Sequence, residues 1–172
     1  MAKYLIETIT LDSSASSITF SNIPQDYTDL MIKVSSRSTR NAGADFLELL
    51  PNASTSVTAL RLQGDGAAVA SDSLTGGRVA NMPAASTTSN TFGNFEIYFS
   101  NYTNSSNKSA SINAVSEDNA TTAYQTLVAF IYNNTSAITS IRMEGQLGSL
   151  DAGSTFSLYG FLAGNDGSTT VS

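Results

Sequence analysis

The sequence predicts an all-β protein, a single domain of about nine to eleven antiparallel strands packed as a sandwich or barrel. Three observations carry this. Apolar residues recur with period two along most of the chain, which puts them on one face of an extended strand. Clusters of Gly, Pro, Asn, Asp and Ser interrupt the alternation every ~8–12 residues. No stretch sustains the 3.6-residue period of an amphipathic helix.

The elements follow in order. In the first, Leu5, Glu7, Ile9 and Leu11 alternate with Tyr4, Ile6, Thr8 and Thr10. A turn at Asp12-Ser13-Ser14 leads to a short strand with Ile18 and Phe20. Pro24-Gln25-Asp26 turns the chain into a strand with Leu30, Ile32 and Val34 on one face. Ala44–Leu50 reads as a strand rather than a helical turn: Leu47 and Leu50 are three apart, but Pro51 closes the segment. Val57 to Gln63 is a further short strand, ended by Gly64-Asp65-Gly66. Residues 67–90 read as a long loop, rich in Ala, Ser, Thr and Gly, around one weak strand at Arg78–Met82. A loop of that length is usually functional, which makes it a candidate contact arm, or else a surface excursion.

Phe95, Ile97 and Phe99 then share a face, as do Ala110, Ile112 and Ala114. Tyr124 to Tyr132 is apolar on both faces, which suits a central strand. Ile138–Met143 and Thr155–Leu162 complete the count, and 163–172 reads as a small, polar, flexible tail.

Composition limits the chemistry. The 172-residue chain has no Cys, His or Trp, which removes thiol nucleophiles, Ser-His-Asp triads and His/Cys zinc sites. Charged residues are 13% of the chain, about half the usual share. The net charge is −6, and the eight basic residues are dispersed, so no cationic track for nucleic acid is expected. Glu7 cuts short the N-terminal apolar run, and the longest apolar run, Leu127–Tyr132, is six residues. Neither a signal peptide nor a membrane span is therefore expected, and synthesis in a cytoplasm is.

Carboxylate pairs remain as acid–base candidates. Glu117-Asp118 are adjacent and so face opposite ways on a strand; Asp26 and Asp29 flank a turn; Asp45 and Glu48 share a face only if helical. All read as solvated surface groups, and no catalytic activity is expected. The Gly64-Asp65-Gly66 and Asn165-Asp166-Gly167 segments read as turns rather than calcium loops. No metal or cofactor is expected.

Two features are candidate contacts. Arg37 and Arg40, in Arg37-Ser38-Thr39-Arg40, can grip a partner's carboxylates with their bidentate forks, or pair with acids of this chain. Tyr98 and Tyr102 lie on the outward parity of their strand, where tyrosines stack sugars or anchor a subunit interface; burial is the other reading.

Two stretches carry a resemblance. The first is Ser17-Ile18-Thr19-Phe20-Ser21-Asn22-Ile23-Pro24-Gln25-Asp26-Tyr27-Thr28-Asp29-Leu30, running into Val34-Ser35-Ser36-Arg37-Ser38-Thr39-Arg40. The second is Gly153-Ser154-Thr155-Phe156-Ser157-Leu158-Tyr159-Gly160-Phe161. Together they resemble a family of small virion structural proteins of tailed bacteriophages, prominent among cyanophages. Residues 67–90 are unmatched, and Phe46-Leu47-Glu48-Leu49-Leu50 departs from the turn usual in the family. The resemblance implies a jelly-roll-like β-sandwich with Ile18, Phe20, Ile23 and Leu30 as core, Pro24 as a turn former and Gly160 as a strand bend. It implies a capsid cement or decoration protein, a homotrimer bound to the major capsid protein on the outer head surface. The alternative it leaves is a tail-fibre or head-fibre module that binds host surface glycans.

Overall fold

The structure is a computed structural model that describes residues 2–118 and 123–162. The described residues form twelve antiparallel strands and no helix. They are β1 (Ala2–Thr10), β2 (Ser17–Phe20), β3 (Asp29–Ser36), β4 (Ala44–Pro51), β5 (Val57–Gly64) and β6 (Val69–Leu74), then β7 (Arg78–Pro83), β8 (Gly93–Phe99), β9 (Lys108–Glu117), β10 (Ala123–Tyr132), β11 (Ile141–Gly145) and β12 (Thr155–Leu162). Eight build one sheet in the order β1-β12-β3-β8-β9-β10-β5-β6. Four build the other in the order β2-β11-β4-β7.

The two sheets enclose one apolar core, and the period-two pattern supplies it. Leu158, Ile32, Ile97, Ile112 and Val128 stand directly opposite one another across five neighbouring strands, and all are buried. From the small sheet Ile18, Phe20, Leu47, Leu49, Val79, Ile141 and Met143 meet them. The four residues expected as core from the N-terminal motif, Ile18, Phe20, Ile23 and Leu30, are all within it.

Several expectations are corrected. Residues 67–90 are not a long loop: they hold β6 and β7, joined through Gly76 and Gly77 at positive φ. β7 contains the weak strand expected at Arg78–Met82. β6 carries no sequence signal because only Leu74 among its six residues is buried, so nothing constrains the others to alternate. In β1 a bulge between Leu5 and Glu7 reverses the parity. Leu5, opposite Tyr159, is therefore exposed, whereas Ile9, opposite Phe156, packs on the core.

Gly160 is less a bend than a vacancy. A Cβ there would lie 2.4 Å from Cγ of Tyr27, whose ring occupies the space over the strand. Residues 44–51 are a strand, as read, and Gly64-Asp65-Gly66 is a hairpin turn in which Asp65 Oδ1 accepts from the Ala67 and Ala68 amides at 2.9 and 2.7 Å. These bonds favour the carboxylate and hold the Asp65 pKa below its ordinary value. The tail at 163–172, with Asn165-Asp166-Gly167, lies outside the described residues.

Candidate functional site

The arginines singled out from the sequence are turned inward. Arg37 follows β3 and is buried. Its Nη1 donates to Thr87 Oγ1 at 3.0 Å, the Thr88 carbonyl at 2.9 Å and the Thr91 carbonyl at 3.0 Å. Its Nη2 donates to the Thr87 carbonyl at 3.2 Å, and Nε lies 3.8 Å from Asp151. The guanidinium is thus the post around which residues 84–92 are wound, because a planar fork with five donors can satisfy several carbonyls that no strand pairs. Arg40 donates to the Ala44 carbonyl at 3.1 Å and sits 3.9 Å from Asp45.

Two acids expected at the surface are buried instead. Asp45 accepts from Ser38 Oγ at 2.7 Å and from the Phe46 and Gly148 amides at 2.9 and 3.0 Å, locking the loop after β11 to β4. Asp29 accepts from the Tyr98 hydroxyl at 2.5 Å and from the Asn101 amide at 2.9 Å. Buried carboxylates of this kind need such donors to offset their lost hydration.

The tyrosine pair splits. Tyr102 lies past the end of β8, where strand parity no longer applies, and is fully buried. Its hydroxyl donates to the Pro24 carbonyl, and burial pushes its pKa up to about 12. Tyr98 is half-buried on the outer face of the large sheet. Its bond to Asp29 pushes its pKa up to about 12 as well. Of the four residues only Tyr98 borders an open surface feature.

That feature is a cleft of about 620 Å³ on the outer face of the large sheet, across β8, β9, β10 and β5. Its shape follows from the register. One row reads Tyr98, Ser111, Ala129, Leu60, so two small side chains lie between two large ones. The next row brings Leu127 opposite Leu62. The result is a trough over Ser111 and Ala129, beside a ridge of leucines.

The ridge is unusually bare. Leu60 is 56% exposed, Leu62 49%, Leu127 51% and Ile131 41%. Val69 and Val115 extend the same face on β6 and β9. Tyr124–Tyr132 is indeed a central strand, with β9 and β5 beside it, but only its Thr126, Val128, Phe130 and Tyr132 face is covered. On β9 from Ser109 to Val115, β10 from Gln125 to Ile131, β5 from Thr58 to Gly64 and β6 from Val69 to Ser73, every outward side chain is uncharged.

Charge is placed elsewhere. Lys33 pairs with Glu96 on the β3–β8 part of this face. The outer face of the small sheet carries Arg142 paired with Glu144, and Glu48 directly opposite Glu144. Burial, then the neighbouring Glu144 carboxylate, raises the Glu48 pKa. Lys108 is buried at the start of β9, where its Nζ donates to the Asn134 and Ser136 carbonyls, and desolvation lowers its pKa.

Among the described residues no three His, Cys, Asp or Glu side chains are grouped so as to hold a metal ion. Sequence reasoning missed the apolar face, although the two-sided apolar character of Tyr124–Tyr132 signalled it. No protein-family model matches the chain and no curated protein matches it, so the functional reading rests on the chemistry of this uncharged, leucine-ridged face and on the motifs of the sequence.

Proposed function

We propose that the chain is a virion structural protein of a tailed bacteriophage, a capsid cement or decoration protein on the outer head surface. On this reading it works as a homo-oligomer, a trimer, bound to the major capsid protein. The observation that carries the reading is the uncharged face across β9, β10, β5 and β6. A surface with several half-exposed leucines and hydroxyl residues between them loses little hydration of charge when covered, and it gains from burial of apolar area. That is the surface of a protein whose work is contact. The resemblance to phage virion proteins supplies the context.

The strand order supports the jelly-roll part of the reading. The small sheet has the order β2-β11-β4-β7, and β3-β8 faces it together with β5-β6. Removing the β9–β10 hairpin from between β8 and β5 leaves four strands against four, in jelly-roll connectivity. β1 and β12 are then additions at one edge, and the inserted hairpin carries half of the exposed apolar residues of the bare face, Val115, Leu127 and Ile131.

The mechanism on this reading is thermodynamic linkage. A protein that binds only the closed, expanded shell stabilises that state by mass action. Interfaces of stable assemblies commonly bury roughly 2,000 Å² or more. No bond is made or broken.

A second reading, a fibre module for host glycans, draws on the cleft beside Tyr98 with the hydroxyls of Ser109 and Ser111. Because Asp29 engages the Tyr98 hydroxyl, the ring surface is what Tyr98 would offer a sugar. One deletion strain separates the two. The cement reading expects assembled virions that lose DNA on milder heating or osmotic shock and adsorb to the host normally. Robust heads with failed adsorption would overturn it in favour of the glycan module.

A further inference from the structure

We infer that the leucine-ridged face is a twofold self-association surface, and that its occupant is a second copy of this chain. The inference goes beyond the proposed function, places a twofold contact where that reading has a threefold, and depends on neither its trimer nor its virion part.

Three features point to a second copy. The first is shape. Ridge and trough lie side by side on one face: Leu60 and Leu62 on β5, and the small residues Ala129 and Ser111 on β10 and β9. A twofold axis parallel to the strands, above the line between β5 and β10, sets Leu60 of each copy over Ala129 of the other and Leu62 of each against Leu127 of the other. Both halves of the contact are then made at once, as an isologous interface requires. Two such sheets pack face to face with nearly aligned strands, as in the interior of a sandwich.

The second is charge. The chain carries −6, so a contact between two copies is opposed least where neither presents an ion, because no like charges are then brought together and none loses its hydration. The four-strand face is such a place, whereas the outer face of the small sheet presents Arg142, Glu144 and Glu48. A strongly charged partner would find no counter-charge here.

The third is area. Six apolar side chains between 41% and 75% exposed lie on this face. A patch of that extent lies within the ~300–600 Å² range of the largest on a typical monomer, a size that is often functional. With its Ser and Thr surround it approaches the ~800 Å² per partner of a stable interface.

The test is the oligomeric state of the purified full chain and of Leu60→Thr, Leu127→Thr and the double variant. Threonine keeps strand preference while removing apolar surface, and circular dichroism with a thermal melt verifies that each variant is folded. The expected result is a wild type that sediments as a dimer, or as an assembly of an even number of 18.0 kDa chains. Each substitution should weaken the twofold contact roughly tenfold or more. Because the chain has no cysteine, a second measurement is direct. Ser73→Cys protein mixed with Ser111→Cys protein should cross-link through a short bis-maleimide far more than either variant alone, because the twofold sets β6 of one copy over β9 of the other and leaves each cysteine several strands from its own mate.

A monomeric wild type at the highest soluble concentration overturns the inference. If that monomer binds phage heads through this face, the occupant is another protein and the second copy is excluded. A wild-type trimer also overturns it, since a bare trimer has no twofold, while leaving the trimeric cement reading standing. An assembly unchanged in the folded double variant overturns it too. Failure of the deletion-strain experiment would touch the virion reading alone.

Discussion

The ring of Tyr27 lies directly over the backbone of Gly160. A Cβ at residue 160 would fall 2.4 to 2.7 Å from three atoms of that ring. Tyr27 in turn packs 6.0 Å from Tyr4, across the β1–β12 edge. An aromatic side chain thus fills a position that the strand leaves empty, and the glycine is required by its neighbour rather than by its own backbone angles.

Gly160→Ala should destabilise the fold by about 1–3 kcal/mol, because the ring must move out of a packed site. Chemical denaturation measures this. In a double-mutant cycle with Tyr27→Ala, the two losses should be clearly less than additive, since the alanine has no ring to meet once Tyr27 is truncated. Additive losses would mean that the glycine serves the backbone alone.

Arg37→Met should cost about 2–4 kcal/mol and expose residues 84–92 to protease. It leaves the Thr87, Thr88 and Thr91 carbonyls without their donor. Arg37→Lys should recover only part of the loss, because one ammonium cannot reproduce the fork. Limited proteolysis with mass mapping checks the site of cleavage, and an uncut 84–92 segment in Arg37→Met would refute the post-like role.

Tyr98 gives the alkaline limb of stability a named contributor. Its pKa is about 12 in the folded protein against an ordinary value of 10.0, because its hydroxyl donates to Asp29. A group with a raised folded pKa stabilises fully below the unfolded pKa and loses that contribution as pH rises to the folded one. The stability advantage of wild type over Tyr98→Phe should therefore be constant below about pH 10 and shrink between 10 and about 12. Taking the difference between the two proteins cancels Tyr102, which titrates in the same region. A difference that does not change with pH would show that Asp29 does not hold the proton on Tyr98.

What was legible in the sequence follows the physics of burial. Ile32, Ile97 and Ile112 stand in one buried row because each lies in a strand whose inward apolar residues recur at every second position, and that period is what a one-sided strand imposes. β6 was illegible for the same reason: exposed on both sides, it needs no alternation. Parity also fails where the strand is not regular. The bulge after Leu5 leaves Leu5 exposed while Ile9 packs on the core, and Tyr102, beyond β8, folds in with its hydroxyl on the Pro24 carbonyl. Arg37 is the third kind of miss. Its burial depends on carbonyls some fifty residues away, and no local pattern reports where unpaired carbonyls will gather. At the candidate site, Leu127 and Ile131 were read as marks of a central strand, which they are. The sequence could not say that the second sheet covers four strands' width and leaves their outer side bare.

The place of β12 between β1 and β3 has a consequence during synthesis. On the ribosome, β1 emerges first and has no neighbour to join until more than a hundred further residues have been made. Meanwhile β3 can acquire β8 on one side but keeps its other edge open. A nascent chain of this design carries one unpaired strand, β1, and one open edge, on the β3 strand of Leu30, Ile32 and Val34, until β12 arrives and joins both at once. Closure by the last of the twelve described strands defers cooperative folding until β12 has been made and leaves sticky edges exposed on the way. Truncated products lacking β12 should then be the ones that aggregate in the cell, and chaperones would find their substrate in the unfinished chain rather than in the finished protein.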